Sequence, residues 1–187
     1  IIIHSADVAE TIRKSNLFGI KSGISSIDFR KITSRASNIV DKDAKEIKEG
    51  IKEDKNTILF NTEAKFIADR TLKVGKETIK GSKVIIAAGT RPSVPNIEGL
   101  NNVDFITSDE ALRLKRLPKS MTILGGGYIA AELAHFYGAL GTKINIIQRR
   151  EVLIPNEDEE ISKKFTGIFR KKYNVLTGYD ATKVEKK

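Results

Sequence analysis

In the first 55 residues, apolar positions recur every three or four residues, the spacing of one face of a helix. Val8 and Ile12 predict a first helix over residues 7–15 that stops near Gly19. A longer helix is predicted from Asp28 onward. Its apolar positions are Phe29, Ile32, Ala36, Val40, Ala44, Ile47 and Ile51. Lys, Arg, Asp and Glu occupy the other faces, which predicts a solvated surface.

From residue 57 the pattern changes to short runs typical of strands. Strands are predicted at 57–60, 64–68, 71–74 and 77–79, arranged as a small antiparallel meander. The nearly continuous apolar run at 83–88 predicts a buried strand. Pro92 and Pro95 then stiffen an extended connection, and we expect a domain boundary near residue 100.

Strands and helices alternate in the second half of the chain. The predicted elements are a helix capped at Ser108, a strand at 121–124, a helix over 128–140, a strand at 143–148, a helix from an Asn156 cap to Lys171, and a strand around Val175. The fold class is therefore α/β. We expect a Rossmann-like nucleotide-binding domain, preceded by a helical segment and a small β-meander.

The net charge of +9 raises the possibility of a nucleic-acid partner. However, the 33 basic residues are interspersed with 24 acidic ones, whereas nucleic-acid binders concentrate basic residues and interleave aromatic ones. No apolar run reaches the roughly 18 residues that cross a bilayer. We expect no nucleic-acid partner, no membrane association and a cytoplasmic location.

The chain has no cysteine, which excludes disulfides, thiolate metal ligands and a cysteine nucleophile within it. Its two histidines, His4 and His135, lie far apart in sequence and lack the spacing of metal ligands. We expect no metal site, and we expect His135 to serve helix packing.

A glycine-rich turn lies between the strand at 121–124 and the helix that follows. It fits the pattern G-x-G-x-x-A with Gly125, Gly126, Gly127, Tyr128, Ile129 and Ala130. In a strand–turn–helix of this kind the first glycine permits the tight turn, and the second lets the backbone approach a pyrophosphate at the helix N-terminus. Ala130 still permits close packing of helix on strand. The alternative is a glycine-rich turn in an unrelated α/β fold.

The residues after the second strand bear on the choice between NAD and NADP. An acid there accepts a hydrogen bond from the ribose 2′-hydroxyl, whereas a 2′-phosphate requires cations. The sequence reads Gln148, Arg149, Arg150, and the first acid is Glu151. Because guanidinium groups bind phosphate in bidentate geometry, we expect NADP rather than NAD. The alternative is that both arginines merely cover the surface.

Three blocks resemble the pyridine nucleotide–disulfide oxidoreductase family, which includes dihydrolipoyl dehydrogenase and glutathione, mercuric and mycothione reductases. Residues 84–92 resemble its second flavin motif, with Ala88 in place of the usual Thr; residues 97–99 resemble its link into the nicotinamide domain; and residues 125–132 resemble its nicotinamide fingerprint. The resemblance implies a partial FAD-binding domain at 1–99, with helices at 1–55 and the meander and flavin motif at 57–92. It implies an NAD(P)-binding domain, truncated at its C-terminus, at 100–187.

The resemblance also implies roles for single residues. Tyr128 would be an aromatic gate over the flavin, and Glu132 would be a carboxylate that pairs with a lysine beside the flavin. Ile129 would line the same pocket, and Val184 would approach the nicotinamide nucleotide. FAD would be contacted by Glu63, Ala64, Ala88, Gly89 and Thr90.

Several parts of the family pattern do not occur in this chain. They are the first flavin G-x-G-x-x-G, the redox cysteine pair with its lysine, and the C-terminal dimerisation domain. The resemblance therefore implies an internal part of a homodimeric enzyme that passes hydride from NAD(P)H to FAD and on to a disulfide or other small-molecule acceptor. A flavin-free NADP(H)-binding module and a ligand-free structural fragment are the two rival interpretations.

Overall fold

The computed structural model describes residues 1–186 and divides the chain into two compact units. The first contains residues 1–38 and those from 92 onward, and the second contains residues 39–91. The helices are α1 (Ile2–Lys14), α2 (Phe29–Glu53), α3 (Ser108–Ala111), α4 (Tyr128–Ala139) and α5 (Glu159–Lys172). The strands are β1 (Ala64–Ala68), β2 (Thr71–Val74), β3 (Glu77–Lys80), β4 (Ser120–Leu124), β5 (Lys143–Gln148) and β6 (Asn174–Thr177). Short 3₁₀ helices lie at Ser15–Phe18 and Leu100–Asn102.

A three-stranded parallel sheet in the order β4-β5-β6 organises the first unit. Each strand is joined to the next by a helix, α4 and then α5, which is the connection that parallel strands require. Ile144, Ile146 and Gln148 are buried, whereas the residues between them in β5 are less so. This alternation directs one face of the sheet into the core. The predicted α/β strand–turn–helix–strand arrangement is confirmed.

The core of the first unit is built around α4. The rings of Phe136 and Tyr137 lie edge to face with centroids 4.9 Å apart, and the ring of Phe29 lies 5.9 Å from each. Ala6 and Ala9 of α1 are buried in the same cluster, and their small side chains permit α1 to pack closely on α4. Ile2 and Ile3 also pack against this cluster. Their burial explains why α1 begins five residues before the predicted start.

The second unit contains the antiparallel meander β1-β2-β3, as predicted. Gly75, with φ of 58°, occupies the turn between β2 and β3, where a left-handed residue is needed. The backbone N–H of Gly81 donates to the carbonyl of Arg70 at 3.0 Å and connects the end of β3 to the turn between β1 and β2. Val74 is buried, and most of β1 is exposed.

Two predicted strands of the second unit are wrong. Residues 57–60 form no strand: they follow a turn in which Asp54 accepts hydrogen bonds from Asn56 and Thr57, and no described strand pairs with them. Residues 83–88 also form no strand, and Ile85 and Ile86 are 90% and 74% exposed. A buried strand needs neighbours on both edges. No described residue supplies them to this run.

Two helix starts also differ from the prediction. Thr107, not Ser108, caps α3, and its side chain and that of Glu110 form a capping box. This helix ends at Ala111, well before Pro118. Asp158 rather than Asn156 caps α5, by accepting from the backbone N–H groups of Glu160 and Ile161. The predicted ligand-binding domains at 1–99 and 100–187 stay a prediction, because the two units are defined by packing.

Candidate functional site

The site begins at the turn between β4 and α4. Gly125 has φ of 105°, a conformation that residues with a Cβ rarely adopt. Its backbone N–H donates to the carbonyl of Ile147 in β5 at 2.8 Å. The chain can therefore leave the sheet sharply at Gly125 and enter α4 at Tyr128. This is the tight turn that the sequence pattern predicts for the first glycine.

Gly126 is buried and packs the turn against the rest of the unit. A Cβ on this residue would lie 2.6 Å from Cδ2 of Leu153 and 3.0 Å from Cβ of Gln148. Its carbonyl accepts a hydrogen bond from the N–H of Ile154 at 2.6 Å. Gly126 was predicted as a cofactor-binding residue, and these contacts give it a packing role as well. The contribution of Leu153 and Ile154 has no signal in the glycine motif.

Gly127 faces open space, since a Cβ built on it would meet no atom within 4 Å. It is the N-cap of α4, and no side chain caps this helix. The first N–H groups of the helix therefore point to an open side, where the helix dipole favours an anion. Ala130 is buried. These residues fit the pyrophosphate of a dinucleotide.

The carboxyl end of β5 lies beside this turn. Gln148 is buried, with 6% of its surface exposed, and its amide donates to the carbonyl of Val152 at 3.4 Å. Its side chain is thus turned into the protein. Arg149 and Arg150 follow and are exposed. Neither guanidinium pairs with a carboxylate among residues 1–186, so both are available to an anion.

The two residues predicted to be catalytic lie on α4. Tyr128 is 71% exposed and Ile129 is 44% exposed at the first turn of the helix. Glu132 is exposed one turn later, on the same side of the helix as Tyr128. In the described part of the chain Glu132 has no ion-pair partner. The structure therefore brings Tyr128, Ile129 and Glu132 together next to the open glycine turn.

His135 continues this side of α4 and contacts α1. Its Nε2 lies 2.8 Å from Oδ1 of Asp7. The pair joins the two helices, in agreement with the helix-packing role predicted for His135. Across residues 1–186, no group of three or more His, Cys, Asp or Glu side chains is arranged to hold a metal ion. None of the helices there is both long and apolar enough to cross a membrane.

Val184 lies against the link at residues 97–99. Its backbone N–H donates to the carbonyl of Glu98 at 2.8 Å, and Lys183 pairs with the Glu98 carboxylate at 3.5 Å. Gly99 has φ of 76°, and a Cβ there would lie 2.2 Å from the carbonyl oxygen of Val184. Gly99 is thus required for this close approach. The contacts described for Val184 are with the link, and its predicted role toward the nucleotide remains untested.

The five residues predicted to contact FAD all lie in the second unit. Ala64 is the first residue of β1, whereas Glu63, Ala88, Gly89 and Thr90 lie outside helices and strands, and all five are exposed. A flavin site is a concave pocket that covers most of its ligand. The described residues of this unit do not form such a pocket, so they do not fit FAD by themselves.

The first unit thus contains a Rossmann-like strand–turn–helix with cations at the end of its second strand. Comparison with known proteins agrees with this class. The family described as pyridine nucleotide-disulphide oxidoreductase matches residues 2–187. The chain belongs to this family.

Characterised relatives include mercuric reductase of Staphylococcus aureus, 31% identical over 98% of this chain and 34% of the relative. Mycothione reductase of Mycobacterium tuberculosis is 31% identical over 95% of this chain and 40% of the relative. Dihydrolipoyl dehydrogenase of Bacillus subtilis is 31% identical over 88% of this chain and 37% of the relative. The chain therefore spans well under half the length of these relatives.

A solved structure has the same fold. The HOCl-induced flavoprotein disulfide reductase RclA from Escherichia coli, as its Cu(II) complex, superposes with a TM-score of 0.81 at 24% identity. The match covers 100% of this chain and 39% of that chain.

Proposed function

We propose that this chain forms the nicotinamide-nucleotide-binding part of a flavoprotein oxidoreductase, and that the nucleotide is NADPH. One observation carries the proposal. An open glycine turn and two arginines that form no ion pair in the described part of the chain lie at the carboxyl end of the same parallel sheet, which is where α/β folds bind nucleotides. The combination supplies a place for the pyrophosphate and separate cations for a 2′-phosphate.

The residues at the carboxyl end of β5 favour NADPH over NADH. An NAD site has an acid there to accept a hydrogen bond from the ribose 2′-hydroxyl. Here Gln148 points inward, and the next two residues are arginines whose guanidinium groups form no ion pair with residues 1–186. A phosphate can accept paired hydrogen bonds from each guanidinium. We therefore assign Arg149 and Arg150 to the 2′-phosphate.

The reaction of the whole protein is part of the same proposal. In the whole protein the nicotinamide would supply a hydride and FAD would be the group that receives it, with a disulfide or related small molecule as the final acceptor. Tyr128 would cover the nicotinamide side of the site, and Glu132 would orient a lysine that this chain does not provide. Both assignments rest on the family resemblance and on the shared exposure of the two side chains. A homodimeric, cytoplasmic parent belongs to the same set of proposals.

A second function is favoured by the exposure of the five predicted FAD residues. Because they form no enclosed pocket, the 187-residue chain by itself would bind NADPH without a flavin. The two functions are separated by the visible absorbance of the purified chain. A retained flavin spectrum supports the first, and its absence together with NADPH binding supports the second.

Calorimetric titration with NADPH and NADH tests the nucleotide assignment. We expect NADPH to bind at least about tenfold more tightly, the difference that one charge-assisted hydrogen bond provides. Arg149→Glu and Arg150→Glu should remove the preference, whereas Arg116→Glu, at another exposed position of the same unit, should keep it. Equal binding, or a preference for NADH, would rule out the arginine assignment.

A further inference from the structure

The segment after β6 lies alongside the two arginines. The backbone N–H of Gly178 donates to the carbonyl of Arg150 at 3.0 Å, and that of Tyr179 donates to the carbonyl of Gln148 at 3.2 Å. These bonds extend the pairing of Gln148 with Thr177 beyond the end of the sheet. Gly178 is thereby held at a fixed position next to Arg150.

The carboxylate of Glu151 folds over Gly178. A Cβ built on Gly178 would lie 2.9 Å from Oε1 and 3.3 Å from Oε2 of Glu151. The carboxylate therefore occupies the space that any other residue at 178 would fill with its side chain. Gly178 also has φ of 76°, which suits glycine. The glycine thus provides both the backbone conformation and the room for the carboxylate.

This arrangement separates an acid from the arginines that precede it in sequence. Glu151 follows Arg150 directly, yet no ion pair joins it to Arg149 or Arg150 in the part of the chain that the structure describes. A carboxylate paired with either guanidinium would compete with a phosphate for the same donors. A carboxylate near a bound phosphate would repel it.

On the basis of the proposed NADPH site, we propose that Gly178 determines specificity for the 2′-phosphate by giving the Glu151 carboxylate a place where it forms no ion pair with either guanidinium group. Any side chain at position 178 displaces the carboxylate. Because the displaced group is the end of a flexible side chain, the carboxylate can move aside, whereas the left-handed backbone at 178 adds strain that is the same for either partner at 151. The freed carboxylate then opposes a 2′-phosphate, but it does not oppose a ribose 2′-hydroxyl, from which it can accept a hydrogen bond.

Two adenosine ligands that differ only in the 2′-phosphate test the idea on the 187-residue chain. They are adenosine 2′,5′-bisphosphate and adenosine 5′-monophosphate, titrated by calorimetry against the wild type, Gly178→Ala, Glu151→Gln and the double variant. We expect Gly178→Ala to weaken binding of the bisphosphate roughly fivefold or more and to leave the monophosphate unchanged. Adding Glu151→Gln should restore the bisphosphate affinity, because the amide carries no charge.

The outcomes separate this inference from the proposed function. If the wild type does not prefer the bisphosphate, the NADPH site is wrong and the role of Gly178 is rejected with it. If the preference exists and survives Gly178→Ala, only the role of Gly178 is rejected. If Gly178→Ala weakens binding of both ligands and Glu151→Gln does not restore it, the cause is backbone strain at position 178, and the role of Gly178 in specificity is again rejected. Backbone strain at position 178 is the same in Gly178→Ala and in the double variant. Any affinity that the double variant regains is therefore due to removal of the charge on Glu151.

Discussion

The hydroxyl of Tyr137 donates a hydrogen bond to the carbonyl oxygen of Ala111 at 2.5 Å, inside the core of the first unit. The bond joins α4, which begins at the glycine turn, to the last residue of α3. Burial raises the pKa of the Tyr137 hydroxyl from 10.0 to about 12, because the core disfavours the charged phenolate. The core that supports the nucleotide site is therefore sensitive to alkali.

We expect the free energy of unfolding to fall at high pH. The pKa of Tyr137 is higher in the folded chain than the value of about 10 in an unfolded chain. Its stabilising contribution is therefore fully present below pH 10 and is lost as pH rises through about 12. Tyr137→Phe should cost about 1 kcal/mol at neutral pH through the lost hydrogen bond, and it should flatten the alkaline decline.

Urea unfolding at pH 7 and at several values from 9 to 12 measures both effects. Tyr179→Phe is the matched control, because Tyr179 is 61% exposed and its loss should change neither. An alkaline decline in Tyr137→Phe as steep as in the wild type would contradict the role given to this hydroxyl.

Two helical glycines should respond oppositely to alanine. A Cβ on Gly138 in α4 would lie 2.5 Å from Cε1 of Tyr173, whose ring is held by Phe169 at a centroid distance of 5.3 Å. Gly138→Ala should therefore destabilise the chain by about 1–3 kcal/mol through overpacking. Gly167 in α5 has no atom within 4 Å of such a Cβ, so Gly167→Ala should stabilise by about 1 kcal/mol. Thermal unfolding of the two variants tests this. If both melting temperatures shift in the same direction, the packing assigned to the two glycines is wrong.

Substitutions at the neighbouring glycines Gly126 and Gly127 should affect different properties, namely stability at the first and nucleotide binding at the second. Gly127 has an ordinary φ of −79° and open space around it, so Gly127→Val should leave the melting temperature near that of the wild type. The added side chain should nevertheless block a pyrophosphate and abolish NADPH binding. Gly126→Ala should destabilise by about 1–3 kcal/mol, because its Cβ would meet Leu153 and Gln148. Calorimetry and thermal unfolding of both variants check this, and unimpaired NADPH binding by Gly127→Val would show that the nucleotide binds elsewhere.

The apolar run at 83–88 offers a test of its exposure. Ile85 is 90% exposed, so Ile85→Lys should leave the melting temperature of this chain unchanged and reduce its aggregation. Val74→Lys, at a buried position of the same unit, should lower the melting temperature because it buries a charge. A large loss of stability in Ile85→Lys would show that the run is covered after all. Light scattering and thermal unfolding provide the two readouts.

The agreement between sequence and structure was closest where local rules act alone. Helix and strand periods predicted α2 and β5, because each pattern of apolar positions fits one backbone geometry. Gly125 was assigned to a tight turn, and its φ of 105° has the sign that this turn requires. The uncapped, open N-terminus of α4 also agrees with the glycine pattern. These features depend on residues within a few positions of one another.

The wrong predictions and the contacts that were not predicted have a different cause. The run at 83–88 has the composition of a buried strand, but a strand also needs neighbours that a local pattern does not reveal. The contacts of Leu153, Ile154 and Gly178 were not predicted for the same reason, since their partners in the glycine turn and just after β5 are distant in sequence. The only local feature of the sequence that pointed to Gly178 was its position directly after the predicted last strand.

The sequence by itself determined the class of the protein and the chemistry available to it: a glycine turn between strand and helix, two arginines after the next strand, and no cysteine. Only the tertiary structure decided which of these groups are free to act. It turned Gln148 inward, left the guanidinium groups of both arginines without an ion pair among residues 1–186, and placed the Glu151 carboxylate over Gly178. The physical reason is that backbone preferences are set by near neighbours, whereas the exposure and pairing of a charge depend on every segment packed around it.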